Sequence, residues 1–113
     1  TVARGGGAGG ASNTRGLFYS GSASPGLVNT IDFVTIATTG DATDFGDSVI
    51  ARGEITGCCS DNTRGVFDGG HPNTNAIEKV TIATTGNGKD FGDLTVARRG
   101  TTSLSDSHGG LAE

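Results

Sequence analysis

Three aspartates, Asp41, Asp44 and Asp47, recur every third residue in the stretch Thr39-Gly-Asp-Ala-Thr-Asp-Phe-Gly-Asp47. Three carboxylates that close in sequence offer the oxygen donors a hard cation such as calcium takes. A second copy of the stretch, Thr85–Asp93, replaces Asp41 with Asn87 and sets Lys89 inside the same loop, where a cation would be repelled. The same spacing also serves a turn, because Asp side chains bond nearby backbone N–H groups. Turn capping is the stronger reading, and no metal or cofactor is expected.

The other residues with chemical capacity fall short of a catalytic set. Asp44-Phe-Gly and Asp90-Phe-Gly spell the metal-binding tripeptide of protein kinases, but no glycine-rich nucleotide loop, strand lysine or His-Arg-Asp loop accompanies them. His71 and His108, the two histidines, have no Cys, His or carboxylate at zinc spacing. No strained nucleophile turn supports a Ser–His–Asp arrangement. Cys58 and Cys59 are adjacent, and neighbours on a strand point to opposite faces, so two free, partly buried thiols are expected rather than a strained disulfide. Arg4-Gly-Gly is one RNA-binding-like element in a chain of net charge −4, which gives no long-range attraction for nucleic acid. An enzyme is not expected.

These residues sit on a chain that says nearly the same thing twice. Asn29–Arg52 returns as Asn75–Arg98 after 46 residues with 15 of 24 positions identical, which chance does not produce. Upstream, Thr14-Arg-Gly-Leu-Phe matches Thr63-Arg-Gly-Val-Phe at an offset of 49, so the length difference lies between the Phe and the Asn. The chain divides into the close of a preceding unit (1–4), unit 1 (5–52), unit 2 (53–98) and the opening of a third (99–113). Lacking Met, it is expected to begin inside a longer product.

Composition limits what these units can build. With 21 glycines and few aromatics, large side chains cannot fill a core, but small residues let strands approach closely. No apolar run approaches the ~20 residues of a membrane helix, so membrane insertion is not expected. β-Branched runs such as Val34-Thr-Ile-Ala-Thr-Thr39, ended by Gly40, read as strand then turn. No segment carries the apolar spacing of an amphipathic helix. The expected fold is all-β, with four strands per unit near 6–12, 15–19, 31–38 and 45–51, and again near 55–60, 64–68, 77–84 and 91–97. Pro25 and Pro72 fall between second and third strands, where they interrupt no ladder.

Four strands in a unit of this size suit a propeller blade. Gly65-Val-Phe-Asp-Gly-Gly70, an alternating strand, and Phe91-Gly-Asp-Leu-Thr-Val-Ala-Arg98 resemble the kelch repeat, with Phe45 and Phe91 where that repeat usually has Trp and Ser20-Gly21 in place of one Gly-Gly pair. The wording of the units also resembles repeat-rich virion proteins of marine bacteriophages, especially those infecting cyanobacteria. Those resemblances imply kelch-like blades, partial at both ends, in a virion surface or tail-appendage protein. Two blades cannot close a ring, so a homo-oligomer or a larger virion assembly is expected.

In such a blade the loops joining second to third strands and those joining units emerge on one face. The stretches 20–28 and 69–74 differ in length and wording there, while the turns 39–47 and 85–93 keep theirs. A constant frame with varying loops suits recognition. Tyr19, His71, Asn73 and Asn75 are the expected ligand contacts, for a host glycan or protein. Arg15, Arg64, Asp47 and Asp93 recur and are expected to form scaffold ion pairs, as are Arg4, Arg52 and Arg98. Phe45 and Phe91 are expected as buried anchors. A purely structural decoration or fibre role is the alternative, and a fragment of a propeller enzyme ranks third.

Overall fold

The computed structural model describes residues 1–55 and 57–105. Its strands are β1 (Ala8–Ala11), β2 (Arg15–Ala23), β3 (Gly26–Thr35), β4 (Thr43–Asp47), β5 (Cys58–Ser60), β6 (Arg64–Asp68), β7 (Thr74–Thr81) and β8 (Lys89–Arg98). Among the described residues there is no helix. The strands form two separate antiparallel sheets of identical order, β1-β2-β3-β4 and β5-β6-β7-β8. Each repeat unit is therefore one sheet, as the expected four strands per unit require.

Boundaries moved where turn chemistry overrode β propensity. The runs Val34–Thr39 and Val80–Thr85 leave the ladder at Thr35 and Thr81, where Thr38 and Thr84 N–H groups close turns onto those residues' carbonyls at 3.3 and 3.2 Å. β2 instead runs past Tyr19 to Ala23 and meets β3 through the two residues Ser24-Pro25. Pro72 likewise sits outside the strands. After β8 the chain is described only to Ser105, so most of the expected third unit, His108 included, lies outside the described residues.

The core lies between the sheets. Ala8, Leu17, Tyr19, Ile31 and Phe45 from the first pack on Ile55, Phe67, Val80 and Ile82 from the second unit. At its centre the rings of Tyr19 and Phe67 stack with centroids 3.8 Å apart and planes 13° off parallel. Phe45 meets Phe33 edge to face at 5.9 Å. Burying each such ring contributes on the order of 2 kcal/mol, which is how so small an aromatic count sustains a core. Backbone bonds seal the outer end: Gly86 N–H donates to Phe45 O at 2.8 Å and Gly88 N–H to Asp47 O at 2.7 Å. This is why Gly46 ends the Asp-Phe-Gly motif. Its φ of +148° suits glycine, and a Cβ there would collide with the Gly86 carbonyl.

The two copies bury opposite faces. Phe18 and Phe67 are counterparts in the repeat, yet Phe18 is 50% exposed and Phe67 fully buried. Phe45 is buried as expected, whereas Phe91, its counterpart, is 48% exposed. The expectation of two equivalent anchors fails because the sheets stack in the same orientation. Each then turns a different side toward the shared core.

Candidate recognition face

Each connection into a sheet lies beside the hairpin that joins the second and third strands of that sheet. Gly5 bridges Ser22 and Gly53 bridges His71. Gly70 N–H donates to Arg98 O at 3.0 Å, and Gly100 N–H to Glu54 O at 3.1 Å. The loops joining second to third strands and those joining units thus share one face. Gly70 enables the close approach: with φ +118°, it sits where a Cβ would press on Ile55, the Gly53 carbonyl and Arg52.

His71, Asn73 and Asn75 are exposed on that face. Tyr19 is not there. It is fully buried, because it shares the pleat phase of Leu17 on β2 and so points at the second sheet. Its phenol donates to Glu78 Oε2, and burial together with that carboxylate pushes the hydroxyl's pKa above its ordinary range. Ser20, next in the chain, is also buried, with its Oγ 2.9 Å from Ser48 Oγ.

In place of Tyr19 the face carries two charged residues that the repeat pattern left unremarked. Arg99 reaches His71 Nδ1 at 2.9 Å and places its Nε 3.4 Å from Glu54 Oε2. Arginine can only donate, so in this contact Nδ1 is the acceptor. Glu54 and Arg99 were findable in one way: after the recurring Arg4, Arg52 and Arg98, they are the positions where the repeat's glycines are replaced. A polar patch of His71, Asn73, Asn75, Glu54 and Arg99 can donate to and accept from hydroxyl groups.

The recurring charges hold the scaffold with different partners than expected. Arg4 pairs with Asp32 at 2.8 Å, and Arg52 with Glu78 at 3.1 Å, the acids being counterparts on β3 and β7. Asp47 and Asp93 are exposed at the far strands and, among the described residues, make no ion pair with these arginines. The partner acid must sit mid-sheet, facing the incoming connection, and Asp32 and Glu78 do so. Burial alone would raise the Asp32 carboxyl, but the bonds from the N-terminal ammonium and Arg4 outweigh it and hold it below the usual range. Arg15 crosses between sheets, donating to Ile82 O at 2.9 Å while lying 4.4 Å over the Phe33 ring. Arg64, its counterpart, lies 6.0 Å over Phe91 on the outer side.

Asp41, Asp44 and Asp47 are exposed, and among the described residues no three His, Cys, Asp or Glu side chains gather to hold a metal ion. Asp47 instead uses its backbone, its N–H donating to Asn87 Oδ1 at 3.0 Å. Cys58 and Cys59 are free, half-buried thiols. Burial, with Cys59 and Asp68 adding to it, pushes the Cys58 thiol up to about 12, so it is no nucleophile at neutral pH. No protein-family model matches the sequence, and no characterised protein matches it.

Proposed function

We propose that the chain is a non-enzymatic recognition module of a virion surface or tail appendage, which displays its loop face to a host glycan or protein. One observation carries the reading. Two sheets of identical strand order hold loops of different length and wording on one face, and that face exposes His71, Asn73, Asn75, Glu54 and Arg99 together. A frame held constant beneath varied polar loops is what recognition surfaces use. Each sheet reads further as a kelch-like propeller blade, and the virion location rests on the resemblance of the repeat wording. Binding to a glycan array is the expected result, with His71→Ala and Asn73→Ala each weakening the best hit about tenfold, the loss of about one hydrogen bond at 1.4 kcal/mol per decade. Arrays and host-cell surfaces that bind wild type and variants equally, or not at all, would overturn the reading. The alternative, a structural fibre or decoration unit, is favoured by the apolar residues left on the outer faces of both sheets, which recognition does not require.

A further inference from the structure

Among the described residues, each sheet leaves open much of the face that its counterpart buries, although on the second sheet Thr101 and Ser103 lie over one edge and bond Asp68. On the outer side of the first sheet, Phe18 is 50% and Ile36 57% exposed, whereas their counterparts Phe67 and Ile82 are fully buried against the first sheet. On the outer side of the second sheet, Val66, Ile77 and Phe91 stand where Leu17, Ile31 and Phe45 form the core. The two outer faces therefore carry much of the contact already made inside the chain, with Asp68 in the place of Tyr19 and Lys79 in the place of Phe33.

We propose that the outer face of the second sheet docks the outer face of the first sheet of a second copy of this chain, head to tail, repeating the internal contact. Three features of the second sheet match that occupant. Gly92 keeps a φ of +157°, close to the +148° with which Gly46 admits Gly86, yet no atom of the described residues lies within 4 Å of where its Cβ would be. The approach is formed and unfilled, and Gly40 of the second copy, the counterpart of Gly86, fits it. Arg64, the counterpart of Arg15, is placed to donate to Ile36 O of the second copy as Arg15 does to Ile82 O. Finally, Lys79 and Lys89 are direct partners across β7 and β8, and Lys79 and Arg64 both crowd Phe91. Three like charges at one spot call for an acidic partner. The turn that would arrive carries Asp41, at the place of Asn87, and Asp44.

Such a contact is heterologous, so it extends into a ring or filament rather than stopping at a symmetric dimer. It stands apart from the loop face, which lies at the edges of the sheets and stays open, so failure of glycan binding leaves it untouched.

Sedimentation velocity on the 113-residue chain tests it. The weight-average mass is expected to rise above the 11.2 kDa of one chain as concentration increases through the micromolar range. Phe18→Asp and Phe91→Asp alter half-exposed side chains, so far-UV circular dichroism should not change, and each variant alone is expected to remain monomeric. Mixed together, they retain one intact face each and should form a 1:1 complex of twice the chain mass that grows no further. A wild type that stays monomeric would overturn the proposal. So would a variant that still self-associates, which marks a symmetric contact, or a mixture that forms no complex.

Discussion

Phe67→Ala is expected to destabilise the fold by about 3–5 kcal/mol. The ring is fully buried, stacks on Tyr19 at 3.8 Å, and carries the contact between two sheets that share no backbone ladder. Truncation leaves a cavity lined by Tyr19, and a core this poor in large side chains has little to collapse into it. Small domains hold about 5–15 kcal/mol in total, so the variant should approach the limit of folding. Its counterpart gives the control. Phe18→Ala and Phe91→Ala, both about half exposed, should each cost less than about 1 kcal/mol in dilute solution, where the outer faces stay unoccupied. Urea denaturation measures all three. Equal losses at Phe67 and Phe18 would show that the sheets do not stack through opposite faces.

The second large effect is expected at the buried ion pair. Arg52 and Glu78 have side-chain exposures of 0% and 1%. Glu78 Oε2 also accepts from the Tyr19 hydroxyl and, at 3.0 Å, from Val49 N–H. Glu78→Ala strands the guanidinium in the core and unpairs the phenol, and breaking a buried pair from one side costs about 3–5 kcal/mol. Removing both charges should recover much of this, because two apolar residues of similar volume avoid the desolvation cost. The double variant Arg52→Met with Glu78→Leu is therefore expected to be more stable than Glu78→Ala alone. The exposed pair Arg99–Glu54 behaves differently, and Glu54→Ala should shift stability by less than about 0.5 kcal/mol. A loss below about 1 kcal/mol for Glu78→Ala would show that water reaches the pair.

Local signals in the sequence determined the all-β class, the four strands of each unit and their order. β-Branched runs, glycines at turns and the 46-residue period act within one unit, and each unit folds by those near-neighbour rules. The loop face was also legible, because strand direction alternates and the differences in length fall on one side. His71, Asn73 and Asn75 lie on it for that reason. Tertiary structure decided the rest. Period-2 alternation places Leu17 and Tyr19 on one side of β2 and Phe18 on the other, but both sides are apolar. Nothing local tells which side meets a neighbour. Stacking the sheets in one orientation buried Tyr19 with Phe67, left Phe91 open while its twin Phe45 closed the core, and turned Asp32 and Glu78, rather than Asp47 and Asp93, toward the arginines. Near-identical copies have near-identical patterns, so their different fates arise only from the contact between them.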